Sequence, residues 1–99
     1  MSFADQVYAL CRQIPKGKIT TYKAIAEALG TKAYRAVGNA LNKNPYAPNV
    51  PCHRVVASSG HVQGFAQGLK EKERLLKSEG IGIKKKKVLH LEKVLYRFV

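Results

Sequence analysis

Apolar residues recur at a helical spacing from the start of the chain. Phe3, Val7, Leu10, Cys11 and Ile14 share a face, and Ser2 is placed to cap their helix, predicted over residues 3–14. Cys11 lies on the apolar side and reads as a small core residue rather than a nucleophile. The run Pro15-Lys16-Gly17-Lys18 breaks that helix, and Ile19-Thr20 reads as a short strand. A second helix starts at a Thr20 or Thr21 cap, carries Tyr22, Ile25, Ala26 and Leu29 on its apolar side, and ends at Gly30. Thr31 is the expected cap of a third helix running to about Leu41. Val37 and Leu41 face inward there, and Arg35, Asn39 and Asn42 face out. Two short helices joined by a tight, glycine-containing turn match the helix-turn-helix unit.

The second half changes character. Prolines at 45, 48 and 51 each fix their own φ and restrict the residue before them, so residues 42–51 form a stiff, extended wall. Residues 52–57 read as a strand, Ser58-Ser59-Gly60 as a turn into His61-Val62, and residues 63–68 as a glycine-bearing loop. A helix follows from Leu69 to Ser78 and stops at Gly80. Beyond it the pattern is ambiguous: Ile81 and Ile83 suit a strand, lysines fill 84–87, and residues 88–98 suit a strand and then a short helix. The expected architecture is α+β: a small winged-helix-like domain with a helix-turn-helix and a short β-hairpin.

Composition narrows the class. Ninety-nine residues suffice for one modest core, so residues 1–99 are expected to form one domain, with 81–99 as a basic tail. The 45% hydrophobic content suits a globular fold. No apolar run reaches the roughly 20 residues that span a bilayer, and no signal-peptide pattern opens the chain. The expectation is a soluble, cytoplasmic, nucleoid-associated protein with no membrane partner. Cys11 and Cys52 form no CxxC spacing and have no matching histidine pair, so neither a metal site nor a disulfide is expected. Eighteen Lys and Arg against six Asp and Glu give a net charge of +12 and point to a polyanion, nucleic acid first. The plain alternative is lysines that solubilise the surface or support thermal stability.

The candidate chemistry sits in Pro51-Cys52-His53-Arg54. An ordinary thiol, with a pKa of about 8.5, is only roughly 3% ionised at neutral pH. An adjacent imidazole and a fixed cation are the groups that would change this. On the helix from Leu69, Glu73 falls four residues after Leu69 and three before Leu76, on their face. A carboxylate there would fix the imidazole's tautomer, giving a Cys52–His53–Glu73 relay of nucleophile, base and orienter. The alternative for Glu73 is a rim residue paired with Lys70 or Lys77.

These motifs resemble the O6-alkylguanine-DNA alkyltransferase family. The resemblance rests on Pro51-Cys52-His53-Arg54-Val55-Val56, Arg35-Ala36-Val37-Gly38, Asn44-Pro45, Ser58-Ser59-Gly60 and the helix from Glu73 to Gly80, and spans about residues 3–81. It implies irreversible transfer of an alkyl group from O6 of guanine to Cys52, once per molecule, with no cofactor. The implied partner is double-stranded DNA containing O6-alkylguanine, bound by a monomer. The resemblance gives His53 the part of a base acting through a water, Glu73 that of its orienter, and Tyr22 that of a donor to the guanine ring. Asn44 is similar to the residue that bonds the loop backbone and keeps the cysteine segment in place. Arg35 is similar to the residue that fills the stack when the nucleotide is extruded, although a phosphate contact would also suit it. Ala33, Tyr34, Ala36 and Gly38 would face DNA, the small residues allowing close approach to a minor groove, although helix packing explains them as simply. Val55, Ser58, Gly60, Ala66 and Gln67 would surround the substrate pocket.

The chain departs from the family pattern in several places. Ala66 stands where many members have serine, Gln67 where glycine is common, and Tyr34 where a smaller residue is usual. The larger members' N-terminal domain has no counterpart in this sequence. Two rival readings follow: an alkyltransferase-like protein that binds lesions without removing them, and a winged-helix regulator. Lesion binders of that kind lack the acceptor cysteine, and Cys52 is present.

Overall fold

The computed structural model describes residues 2–46, 49–62 and 68–98. Ser2 opens α1 (Phe3–Cys11), its Oγ accepting from the Asp5 amide at 3.1 Å. The helix stops short of the predicted residue 14, because Pro15 disfavours helical backbone at the residue before it. Two turns then carry the chain on, and Ile14 is still buried.

β1 (Thr20–Thr21) runs straight into α2 (Tyr22–Ala28). Thr21 is the cap, its Oγ1 accepting from the Ala24 amide at 3.0 Å. Gly30, at φ 72°, turns the chain out of the helix in the left-handed region open to glycine. Thr31 does not cap α3 as expected. Its hydroxyl accepts from the Ala33 amide two residues on, which orders the turn, and α3 (Tyr34–Asn42) begins only afterwards. The three helices bury Val7, Tyr8, Cys11, Ile14, Ile25, Ala26, Val37, Ala40 and Leu41 together with Val50, Cys52 and Val55. Within this core the Tyr8 hydroxyl donates to the Ala40 carbonyl at 2.7 Å.

The predicted strand over residues 52–57 is a correction. Cys52–Arg54 is a single 3-10 turn, and only Val55–Val56 (β2) is strand, lying parallel to β1 with Thr20 opposite Val55 and Thr21 opposite Val56. The Cys52 amide bonds to the Val50 carbonyl at 2.8 Å and the Arg54 amide to the Pro51 carbonyl at 2.9 Å, so tight turns around rigid Pro51 outcompete extended backbone.

α4 (Leu69–Ser78) ends in a Schellman motif, with the Ile81 amide bonding to the Leu76 carbonyl and the Gly80 amide to that of Lys77, Gly80 at φ 88°. β3 (Ile83–Lys84) and β4 (Lys87–Val88) form an antiparallel hairpin, followed by α5 (Leu91–Val94). Ile19, Val56, Val62, Leu76, Ile81 and Val88 make a second apolar cluster. The final segment returns to β1: the Ile19 amide bonds to the Val94 carbonyl at 2.9 Å and the Tyr96 amide to that of Ile19 at 2.6 Å. The basic segment whose pattern was ambiguous in the sequence thus carries a strand at Ile83–Lys84, a second at Lys87–Val88 and a short helix at Leu91–Val94. The architecture is α+β; its hairpin is formed by residues 83–88, whereas the turn expected at 58–60 is closed by the bond from the Ala57 amide to the His61 carbonyl rather than by a pair of strands. Among the described residues no helix is long and apolar enough to cross a membrane.

Replacing Thr21 by Ala is expected to cost about 1 kcal/mol, the usual value of an N-cap. Thr31→Ala should cost clearly less, because no helix starts on it. Urea denaturation of the two variants measures the difference, and equal losses would contradict this assignment of the caps.

Candidate active site

Cys52 occupies the first position of the 3-10 turn, only 6% exposed, with its backbone held between Val50 and the start of β2. Asn44 fixes the wall before it. Its Nδ2 donates to the Val50 carbonyl at 2.9 Å while its Oδ1 accepts from the Tyr46 amide at 2.9 Å. His53 and Arg54 both turn toward the end of α4.

There they meet Glu79, not Glu73. His53 Nε2 lies 3.0 Å from Glu79 Oε2, while Arg54 donates from Nε to Oε1 at 2.9 Å and from a terminal nitrogen to Oε2 at 2.7 Å. Arg54 also donates to the Ile14 carbonyl at 2.7 Å, tying the turn to the end of the first helical segment. The expected Cys52–His53–Glu73 relay is thus corrected. Glu73 is half-buried beside Lys70, Lys77 and Ile83, in a groove on the hairpin side of α4. The inward position between Leu69 and Leu76 belongs to Lys72, three residues after the one and four before the other. Glu79, three residues beyond Leu76 at the helix cap, reaches the turn.

Burial raises the Glu79 carboxyl, but hydrogen bonds from Arg54 and His53 outweigh it and hold the group below its usual range. Burial also drives the His53 imidazole below its ordinary value, against the opposing pull of Glu79. A neutral ring facing an ionised carboxylate must donate from Nε2, which leaves the lone pair on Nδ1. His53 is therefore a base with its proton assigned.

The other side of the turn holds a group the sequence reading missed. Lys72 is fully buried, its Nζ 2.6 Å from the Val55 carbonyl and 3.5 Å from the Tyr22 hydroxyl. Burial lowers its pKa from 10.5 to about 8, with interactions with the nearby Cys52 and then Cys11 opposing. Burial first, and then the interaction with Cys52, push the Tyr22 phenol up to about 12, so its O–H remains a donor. Cys11 is pushed up to about 12 by burial first, then by Cys52, and stays a neutral thiol. The signal that could have found Lys72 is the α4 periodicity, which puts it on the face of Leu69 and Leu76, although a lysine is rarely fully buried.

On α3, Arg35 and Ala36 are exposed, Tyr34 is 39% exposed, and Ala33 and Gly38 are half-buried. A Cβ at Gly38 would meet nothing within 4 Å, so packing does not require glycine there. Around the other flank Val55 is buried, Ser58 is exposed, and Gly60 is buried at φ 93°. Ala66 and Gln67 lie outside the described residues. Among those described, no cluster of three or more His, Cys, Asp or Glu could hold a metal.

Fold and site together define a helix-turn-helix domain built around a cysteine backed by a histidine–carboxylate pair. The chain belongs to the family described as 6-O-methylguanine DNA methyltransferase, DNA binding domain, whose model matches residues 2–81. A methylated-DNA–protein-cysteine methyltransferase of Methanosarcina barkeri is 56% identical over 72 residues, covering 72% of this chain and 45% of that protein. The Saccharolobus solfataricus protein of that name is 48% identical over 81 residues, covering 82% of this chain and 52% of that one. The chain thus spans about half the length of the curated relatives it matches. Among solved structures, Mycobacterium tuberculosis OGT in complex with DNA superposes with a TM-score of 0.77 at 40% identity, over 80% of this chain and 50% of that one. Schizosaccharomyces pombe Atl1, in complex with damaged DNA containing O6-carboxymethylguanine, gives 0.85 at 29% identity, over 96% of this chain and 94% of that one.

Glu79→Gln is expected to lower stability by about 1–3 kcal/mol, since it leaves Arg54 without its buried counter-charge. Glu73→Gln should change it by less than about 0.5 kcal/mol. Urea titrations at neutral pH compare them, and a larger loss at Glu73 would refute the pairing.

Lys72 makes a second prediction, this one on pH. Its folded value of about 8 lies below its ordinary 10.5, so the unfolded chain binds more protons between the two and stability rises with pH above 8. Cys11 acts oppositely above its ordinary 9.0, because only the unfolded thiol ionises there. Urea midpoints should rise from pH 8 to about 9 and then flatten, and Lys72→Met should remove the rise.

Proposed function

We infer that this chain repairs DNA by moving an alkyl group, methyl foremost, from O6 of guanine to Cys52, each molecule acting once. The observation that carries this reading is the cysteine at the head of a fixed turn, with a neutral histidine locked by Glu79 on one side and the Lys72–Tyr22 pair on the other. The partner is double-stranded DNA containing O6-alkylguanine, bound by residues 1–99 acting as one monomeric unit, and no cofactor takes part. Cytoplasmic, nucleoid-associated action fits a partner of this kind.

In the reaction His53 takes the thiol proton at Nδ1 through a water molecule. The sulfur then attacks the alkyl carbon: the S–C bond forms, the C–O6 bond breaks, and its electron pair stays with guanine. Charge developing on the purine is met by the Tyr22 O–H, a donor aimed where the charge appears. The proton lost by Cys52 balances the one guanine regains on leaving. Glu79 acts on the orientation of His53, and Asn44 on that of the segment carrying Cys52. O6 is out of reach inside a stacked duplex, so the nucleotide must be extruded. Arg35, at the exposed start of α3, is the residue suited to fill the vacancy, with Ala33, Tyr34, Ala36 and Gly38 along the contact. Val55, Ser58 and Gly60, with Ala66 and Gln67 in the following loop, would border the alkyl group.

A second reading, lesion binding without transfer, is favoured by the nearly end-to-end match with Atl1. Intact-mass measurement after incubation with an O6-methylguanine duplex separates the two. Transfer adds one methylene to the protein, located on the peptide carrying Cys52, and Cys52→Ser should abolish the gain while leaving binding nearly intact. An unchanged mass in the wild type would refute transfer and leave binding alone.

A further inference from the structure

The hairpin of residues 83–88 lies beyond the stretch that the family model matches, and the reaction described above makes no use of it. Its two-residue loop is Lys85-Lys86, with φ of 53° and 62°. Positive φ at both central positions is the mark of the tight hairpin turn normally filled by Asn-Gly or Gly-Gly. Lysine is strained there, because its Cβ crowds the backbone. The fold alone would prefer glycine or asparagine at these two positions.

The strained turn is also concentrated charge. Lys84 to Lys87 are all exposed, and none of them makes a salt bridge among the described residues. Lys70 and Lys77 of α4 flank the groove on one side of the turn, while His61 and His90 border the shallow groove on the other. Glu73 is the one carboxylate lining the first groove, against Lys70, Lys77, Lys85 and Lys86, and the cations in excess of it repel one another and are relieved by a polyanion.

The turn is anchored beside the reactive segment. The Val62 amide bonds to the Lys86 carbonyl at 2.8 Å, the Val88 amide to the Gly60 carbonyl at 2.9 Å, and His61 pairs with Lys87. The Lys87 side chain lies against Gly60, 3.5 Å from where a Cβ would stand. Gly60 to Val62 in turn join the end of β2, the strand that follows the turn carrying Cys52, through the bond from the Ala57 amide to the His61 carbonyl.

We propose that this lysine hairpin is a second DNA contact, binding backbone phosphates on the strand flanking the extruded nucleotide, separately from α3. The proposal rests on the repair reading for the identity of the polyanion. Its ligand chemistry is the phosphodiester, so it adds affinity and salt dependence without reading sequence.

The test replaces Lys85→Asn and Lys86→Gly together, which removes two charges and supplies the residues that the turn prefers. The melting temperature should rise, while affinity for an O6-methylguanine duplex should fall about tenfold near 0.1 M salt and the slope of log K against log salt should become shallower by about 2. Reaction of Cys52 with the free base O6-methylguanine, which has no phosphates, should be unchanged. Unaltered duplex affinity or an unaltered salt slope in the stabilised variant overturns the proposal. So does a loss confined to vesicles containing phosphatidylserine, which would assign the lysines to a membrane surface. Failure of the wild type to gain mass from either substrate would instead overturn the transfer reading, and the duplex salt slopes would still decide the hairpin.

Discussion

Arg54 and Glu79 meet where three segments of the chain come together, and the geometry of the site depends on that contact. The guanidinium bonds both carboxylate oxygens at 2.9 and 2.7 Å and, with its remaining nitrogen, the Ile14 carbonyl at 2.7 Å. The end of α4, the turn bearing Cys52 and the segment after α1 are thereby fixed together. Buried ion pairs often contribute little net stability, since desolvation offsets their attraction. A two-pronged guanidinium–carboxylate contact nevertheless defines direction as well as distance. Here it holds the turn of residues 52–54 against α4, where His53 presents Nε2 to Glu79 and Nδ1 elsewhere.

The charges around Cys52 are arranged asymmetrically as a result. On one side an ionised carboxylate is already matched by Arg54, so His53 need not be protonated to satisfy it, and burial keeps it neutral. On the other side Lys72 is an interior cation bonded to the Val55 carbonyl, near the Tyr22 hydroxyl. The same burial makes Cys11 inert: a thiol pushed up to about 12 does not ionise at neutral pH. Both cysteines lie in one apolar cluster, and what distinguishes them is the turn.

The parts of this arrangement legible in the sequence were those with local causes. Ser2 and Thr21 cap helices through side chains that reach only three residues ahead. Proline and glycine mark breaks that backbone geometry alone dictates, as at Pro15, Gly30 and Gly80. Thr31 was misjudged because a hydroxyl two residues before an amide can order a turn instead of starting a helix. Glu73 and Glu79 illustrate the harder limit. Helical periodicity places a residue on a face to within about 100° per step, which leaves neighbouring positions unresolved, and only the distant turn shows that the acid at the cap is the one in reach. Lys72 was hidden by its type, since burying an ammonium is costly until the carbonyl and hydroxyl that receive it are known.

Positions that packing does not explain are informative for the opposite reason. Gly38 lowers the helical propensity of α3 and no neighbour occupies the space a Cβ would fill, so nothing inside the fold calls for it. Lys85 and Lys86 occupy backbone conformations that glycine or asparagine would adopt with less strain. Folding physics alone would replace all three residues. On the proposed reading their identity is set from outside the chain, by what approaches α3 closely and what meets the hairpin's charge. The duplex proposed as partner would satisfy both demands at once, because its grooves need a small helical surface and its backbone needs cations. Two surfaces that depart from folding preference in ways one partner explains support each other more than either does alone.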